Sequence, residues 1–586
     1  MTDVAAEPKK RRRLFSMFNM GRIPLDRWSV GTIIIAALIA MPIVTVFILA
    51  LSPSDDIWQH LSTTVLPDYI FTTLGLMLGV GIGTLIIGVG TAWLATMCRF
   101  PGRQIFQWAL LLPLAVPAYV IAYVYTDILE FAGPVQQLLR ELFGWTLARE
   151  YWFPEIRSLG GAITMMTLVL YPYVYLLSCA AFLEQSVCCL EVSRTLGRGP
   201  WRSFFTVAIP LARPAIVIGL TLALMETLND FGTVDFFAVS TFTAGIYDVW
   251  FNMNNRAGAS QLAIVLLTFV LILIYAERRA RRGQQYHHTS TKYRELPSHQ
   301  LRGHKAALAF IACFTPIVLG FLLPVSILVH YALDYYERAL STSFLQSAWH
   351  SLTLSTLCAV LAVLIGLFMA YSVRLGRYKV IQFATRFASI GYAVPGAVLA
   401  IGTIISLSTF DHAFNGFMKS TFNISVGLLL SGTIVAVVFG YLVRFLALSF
   451  GTMEAGLAKI TPSMDGASRT LGQGPGATLR RVHLPMIRAS ILTAGILVFV
   501  DCMKELPITI LLRPFNYETL ATYVHQFASD GLLEECALGA VTIVAAGILP
   551  VIILSRTISA SRPGTKEKPQ SIVQQHGITH GSELAT

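Results

Sequence analysis

An all-α polytopic membrane protein of twelve transmembrane helices, built as two repeated six-helix halves, is what this sequence predicts, and three observations carry it. Only 13% of the 586 residues are charged against 55% apolar, at a mean hydropathy of +0.65, where an ordinary soluble chain carries about 25% charge. Uncharged runs such as 29–51 and 306–331 are each long enough for a hydrocarbon core that needs about 20 apolar residues. A stretch of 26 residues also recurs 275 positions further on. The 44 glycines and 26 prolines are scattered through the apolar runs, without the ten-residue alternation of a barrel, so the spans are helices that satisfy their own backbone groups.

In chain order, residues 1–28 form a basic cytoplasmic N-terminus whose run from Lys9 to Arg13 precedes the apolar stretch 29–51. That stretch is too long for a signal peptide and lacks a small-residue cleavage site, which makes it an uncleaved first span. The spans fall at 29–51, 70–97, 105–126, 159–183, 214–232, 259–276, 306–333, 350–373, 387–409, 425–450, 489–507 and 536–555. They divide into a first half at 29–276 with a cytoplasmic loop at 184–213, and a second half at 306–556 with a cytoplasmic loop at 454–488. A basic linker, 277–305, joins them, and its His287-His288 pair reads as part of a solvated hinge; the polar tail 557–586 has no packing pattern. The eight cysteines (Cys98, Cys179, Cys188, Cys189, Cys313, Cys358, Cys502 and Cys536) have no metal-ligand spacing beyond one adjacent pair and are expected as free thiols.

Charge sets the orientation. With both termini in the cytoplasm, 35 of the 43 Lys and Arg lie on that side, Arg444 counted among those of 444–488. Only Arg140, Arg149, Arg157, Arg256, Arg338, Lys419, Lys504 and Arg513 remain for the other side, the asymmetry of the positive-inside rule. Of 32 acidic residues, 19 lie in or beside the outer loops. Topology thus accounts for a pI near 9.3 without a nucleic-acid partner; the surrounding partner is membrane lipid.

The repeat lies in the cytoplasmic loops. Residues 191–216 and 466–491 share 11 of 26 positions, and upstream Leu114-Ala-Val-Pro117 matches Tyr392-Ala-Val-Pro395 at an offset of 278. Downstream it pairs Glu226 with Asp501 and Asp230 with Glu505. Six spans per half keep both copies in the same orientation, related by an axis along the membrane normal with a pathway at their interface. In each loop a short helix, a glycine, a turn and a proline make a rigid knob suited to docking. The chain holds no GxxxxGK[ST] phosphate cradle and no nucleophile–base pair, so an ATP-driven process would need another polypeptide.

At these residues the sequence resembles the permease subunits of bacterial ABC importers, whose loop signature is E-A-A, three residues, G, then an I-x-x-P-type ending. The first copy fits with Glu191-Val192-Ser193, Gly197, Ile209 and Pro210; the second keeps Ala467, Ser468, Gly472, Leu484 and Pro485 but has Gly466 where Glu is expected. The resemblance covers about 70–276 and 346–556 and implies a MetI-like type I importer fold in the bacterial inner membrane. It also implies partners: two copies of a nucleotide-binding ATPase subunit, which carries the ATP and Mg, and a periplasmic substrate-binding protein docking on loops 127–158, 233–258 and 508–535. Residue by residue, ATPase coupling passes to Glu191, Arg194, Leu196 and Gly197, and to Gly466, Arg469, Leu471 and Gly472. This chain itself would be no enzyme and bind no cofactor. Fused two-half permeases of this kind serve ferric iron or thiamine, and 225–250 with 501–521 look like the ferric iron branch.

Carboxylates inside a span are expensive, about 2.5–3.5 kcal/mol on insertion scales, so Glu226 and Asp501 invite a pathway reading. Asp230 and Glu505, four residues on, are expected on the same helical faces, where two pairs of carboxylates would offer the oxygen ligands that Fe(III) prefers. Tight multidentate binding would stall release, so the expectation is transient Fe(III) contact at Glu226 and Asp501 with no stable metal site. A second reading stands beside it, in which Glu226 or Asp501 pairs with Lys504 or caps a broken helix near Pro507. Two other architectures fit less well: a major-facilitator transporter, whose GxxxDRxGRR-like loop is absent, and a membrane enzyme, for which no HExxH or GxSxG appears.

Overall fold

The structure is a computed structural model, and it describes residues 26–53, 57–185, 195–196, 199–281, 299–376 and 378–560. Among these are eleven helices long and apolar enough to span a membrane, plus one helix pair that passes the same test but bends by 88°. Numbered in order, the spans are α1 (Arg27–Ala50), α2 (Leu66–Met97), α3 (Ala118–Leu129, the second arm of the bent pair), α4 (Leu159–Glu184), α5 (Ile209–Asn229) and α6 (Arg256–Arg281). The second set is α7 (His304–Asp334), α8 (Thr342–Leu375), α9 (Gly396–Phe422), α10 (Ile434–Ala458), α11 (Leu484–Met503) and α12 (Leu533–Ala560).

The two sets repeat in detail. Ser158 and Thr433, 275 apart, each accept a backbone N–H at the start of α4 and α10. A single widened turn precedes α5 at Phe204–Ala208 and α11 at Leu479–His483. Each is followed by a proline, Pro210 or Pro485, whose missing N–H removes one i→i−4 hydrogen bond and lets the helix widen; the bulge Val318–Leu322 before Pro324 has the same cause.

The segments expected as single spans at 105–126 and 387–409 are corrected by the structure. Each runs as a short helix (Arg103–Ala109, Lys379–Ala388), a 3-10 turn (Leu112–Ala115, Ser389–Ala393), and a restart after Pro117 or Pro395. Proline holds the residue before it out of the helical region, and Val116 and Val394 are both extended. The span expected from 425 instead begins at Ile434, because Asp411 accepts from the backbone of Leu430 and Ser431 and holds the preceding stretch as a loop.

Two hydrophobic cores result, and neither belongs to one half. One gathers α2 to α5 together with α7 and α12; the other gathers α8 to α11 together with α1 and α6. The outer helices are therefore exchanged. At the α1–α9 crossing the backbones come so close that a Cβ on Gly402 would sit 2.2 Å from the Pro42 carbonyl oxygen, so only glycine fits. A two-residue parallel pairing, Cys98–Arg99 with His299–Gln300, ties the end of α2 to the chain entering α7. The six described cysteines are buried and free; Cys188, Cys189, the His287-His288 pair and the terminal segments lie outside the described residues.

Candidate functional site

A cavity of about 100 Å³ lies where the breaks of the two sets meet, lined from one set by 114–119, 166–173 and 226–232 and from the other by Tyr392, Arg444, Phe445 and 501–507. Its acidic groups come from helix ends. α5 stops at Asn229, and the extended Asp230 turns its carboxylate onto the N–H groups of Thr233 (3.0 Å) and Val234 (3.2 Å), starting the short helix Gly232–Phe236. At the equivalent place Glu505 Oε1 accepts from Ile508 N–H at 3.2 Å and starts Pro507–Leu512. Asp230 and Glu505 thus cap new helices and do not share a helical face with Glu226 and Asp501, because both parent helices end before reaching them.

Two cations lie among the carboxylates. Arg444, its side chain only 3% exposed, sends Nη1 to Asn229 Oδ1, which also accepts Gly396 N–H at 2.7 Å. The same guanidinium lies 3.8 Å from Glu226 Oε2 and 3.7 Å from Glu505 Oε1. Glu226 Oε1 accepts from the Tyr392 hydroxyl at 3.1 Å, and Asp501 pairs with Lys504 at 3.0 Å. The second reading of the sequence therefore holds for the Asp501–Lys504 pair, while Glu226 takes its cation from the other half. Among the described residues no group of three acid, imidazole or thiol side chains converges as a metal cluster would.

Phe231 separates this cavity from a wider vestibule of about 440 Å³ lined by Asp235, Asp248, Asp530, Arg513 and His525. Its ring stacks on Tyr247 at 3.8 Å, and the Tyr247 hydroxyl donates to the Pro507 carbonyl, so an aromatic pair from one half closes on the backbone of the other. Burial pushes the His525 imidazole down to about 4; its Nδ1 shares a hydrogen bond with the Tyr123 hydroxyl at 2.6 Å.

At the opposite end of the bundle lies the second repeated loop. Its helix, Pro462–Thr470, ends in Gly472 at φ +73°, a left-handed position that favours glycine. Gly466, Arg469 and Leu471 are exposed on it, Leu471 by 78%. Asp465, one residue before the expected glutamate position, bonds Arg374 at 2.7 Å and His483 at 2.7 Å, and Arg374 also donates to the carbonyls of Leu457 and Ile460. The carboxylate missing at Gly466 is thus supplied by its neighbour, turned inward. In the first loop Leu196 is exposed by 71%, while Glu191, Arg194 and Gly197 lie outside the described residues.

Comparison with known proteins fits this geometry. Residues 84–277 match the family model described as binding-protein-dependent transport system inner membrane component. The chain is 26% identical over 528 residues to a Fe(3+)-transport system permease protein of Haemophilus influenzae, covering 89% of this chain and 96% of that one. It is 23% identical to a ferric transport system permease protein of Actinobacillus pleuropneumoniae over 77% of this chain and 65% of that one. A molybdenum transport system permease of Escherichia coli is 29% identical over 34% of this chain and 86% of its own length, matching about one half.

The chain is similar to permeases of binding-protein-dependent import systems.

Its eleven or twelve spans among the described residues make it a multi-pass membrane protein, and the likeness implies an ATPase and a substrate-binding protein as partners. Sequence reasoning missed the part played at this site by Arg444, Asn229 and Tyr392. Arg444 lies within the apolar run 434–450, and an ionisable residue there is a pathway signal in its own right; counting it with the basic loop residues hid it. Its burial corrects that count, as the cavity position of Lys504 corrects its assignment to an outer loop.

Proposed function

We propose that this permease imports ferric iron across the inner membrane by alternating access, with both termini cytoplasmic and ATP hydrolysed by two copies of a separate subunit. The observation that carries the substrate is the likeness, through both fused halves, to a permease whose name specifies Fe(3+) transport. The cavity supports it: four carboxylates against Arg444 and Lys504 leave a net negative lining, which favours a cation in transit without the facing, unpaired ligands that would trap it. The exposed loop residues Leu196, Gly466, Arg469, Leu471 and Gly472, with Glu191, Arg194 and Gly197, dock the ATPases. Loops 127–158, 233–258 and 508–535 receive the periplasmic binding protein. ATP-bound closure draws the two coupling loops together, parts the Phe231–Tyr247 seal and opens the vestibule; hydrolysis resets the pathway toward the cytoplasm. Cargo meets Glu226 and Asp501 transiently. No ATPase site and no cofactor belongs to this chain.

Thiamine is the second reading, favoured by the aromatic lining of Tyr119, Tyr173, Tyr392 and Phe445, which suits cation–π contact. Uptake of radiolabelled ferric iron, with labelled thiamine in parallel, tests both in cells lacking the permease and complemented with it, its binding protein and its ATPase. Iron uptake that needs both the permease and ATP is expected; thiamine uptake without an iron signal overturns the substrate and keeps the architecture.

A further inference from the structure

Arg444 breaks the repeat. Its equivalent 275 positions earlier is Val169, and the equivalent of Lys504 is Asn229, so both cavity cations come from one half while the carboxylates come in matched pairs. The guanidinium is under-bonded for so buried a group. Among the described residues its one short contact is the neutral Asn229 amide, itself fixed by Gly396 N–H; the two carboxylates stand at 3.7 and 3.8 Å, beyond hydrogen-bond range; and Nε has no partner among those residues. The Tyr119 hydroxyl, buried on the wall of the same cavity, also lacks a partner among them.

We propose that Arg444 is the pathway's resident counter-cation: in the empty, closed state it stands in for cargo charge between Glu226 of one half and Glu505 of the other, and so sets how weakly an entering cation is held. An amide, not a carboxylate, anchors it, and Glu226 Oε2, held by the guanidinium only at 3.8 Å, can exchange it for cargo; Glu226 and Asp501 keep 24% and 20% of their side chains exposed. Removing Arg444 adds one net negative charge to a low-dielectric cavity and converts a passage into a trap. The direction rests on the cation reading above and differs from a merely structural role: apparent affinity rises while turnover falls.

The test uses terbium(III) as a trivalent probe, its luminescence sensitised by the cavity tyrosines, on the purified full-length permease. Arg444→Gln is expected to give a signal that saturates at a concentration at least about tenfold lower than wild type, Arg444→Lys to return toward wild type, and Arg444→Gln with Glu226→Gln to lose the gain. In whole-cell iron uptake, Arg444→Gln is expected to lower both Vmax and KM. Equal terbium saturation in wild type and Arg444→Gln overturns the proposal whatever the cargo; a terbium gain with no iron uptake by the wild type keeps Arg444's role and overturns iron. Should Arg444→Gln not insert, Asn229→Ala, which frees the guanidinium without removing it, is expected to weaken terbium binding further, and an unchanged signal there also counts against the proposal.

Discussion

Residues 226–232 and 501–507 are the same piece of chain written twice, and they carry different chemistry. Both end a long helix, turn through a carboxylate that caps the next short helix, and present a carboxylate one turn earlier. Yet Asp501 has its own lysine three residues on, whereas Glu226 has Asn229 at that place and takes a cation from across the interface. Duplication preserved the backbone device and let the charges drift apart. The repeated loops differ likewise: the second is tied through Asp465 to Arg374 on α8, while Arg99, 275 positions before Arg374, is exposed in the two-residue strand that pairs with His299–Gln300.

The largest expected effect removes what the two loops share. Gly197→Asp with Gly472→Asp should abolish uptake while membrane insertion, read by protease protection of a tag, is retained; residual transport in the double variant would mean that the loops do not couple. An intermediate effect sharpens the difference between them. Arg374→Ala should cut uptake severalfold, because the exposed coupling helix then loses its half-buried anchor, whereas Arg99→Ala should leave uptake near wild type; equal losses would erase the distinction. The smallest concerns the vestibule. The unfolded chain takes up a proton at His525 near 6.5 and the folded chain not until about 4, so folded stability falls as pH drops through that window. His525→Gln should flatten the acid limb of thermal stability in detergent, and an unchanged pH profile would show that the imidazole is not held neutral.

Much of this was legible in the sequence, for reasons that also explain the failures. Hydropathy finds a span because a helix must bury about 20 residues in lipid, and the Ser-Arg-Thr-Leu-Gly identity at 193–197 and 468–472 fixed the register of the repeat. Hydropathy does not see a bend, since 105–126 remains apolar through Pro113 and Pro117; the prolines were the available sign. Neither can it tell which core a helix joins, because α1 and α7 are apolar whichever neighbours they meet. Asp230 and Glu505 were misplaced because helical spacing was extended past the point where each helix stops.

The exchange of outer helices bears on how the protein is made. A ribosome that has delivered α1 to α6 has inserted a core still missing α7 and α12, and a helix, α1, whose neighbours α8 and α9 have yet to be synthesised. The first half therefore waits in the bilayer with polar and close-packing surfaces turned to lipid, until the linker hands over the second. Joining both halves in one reading frame shortens that wait to the time of translating some 300 residues and guarantees each core one copy of the helices it borrows.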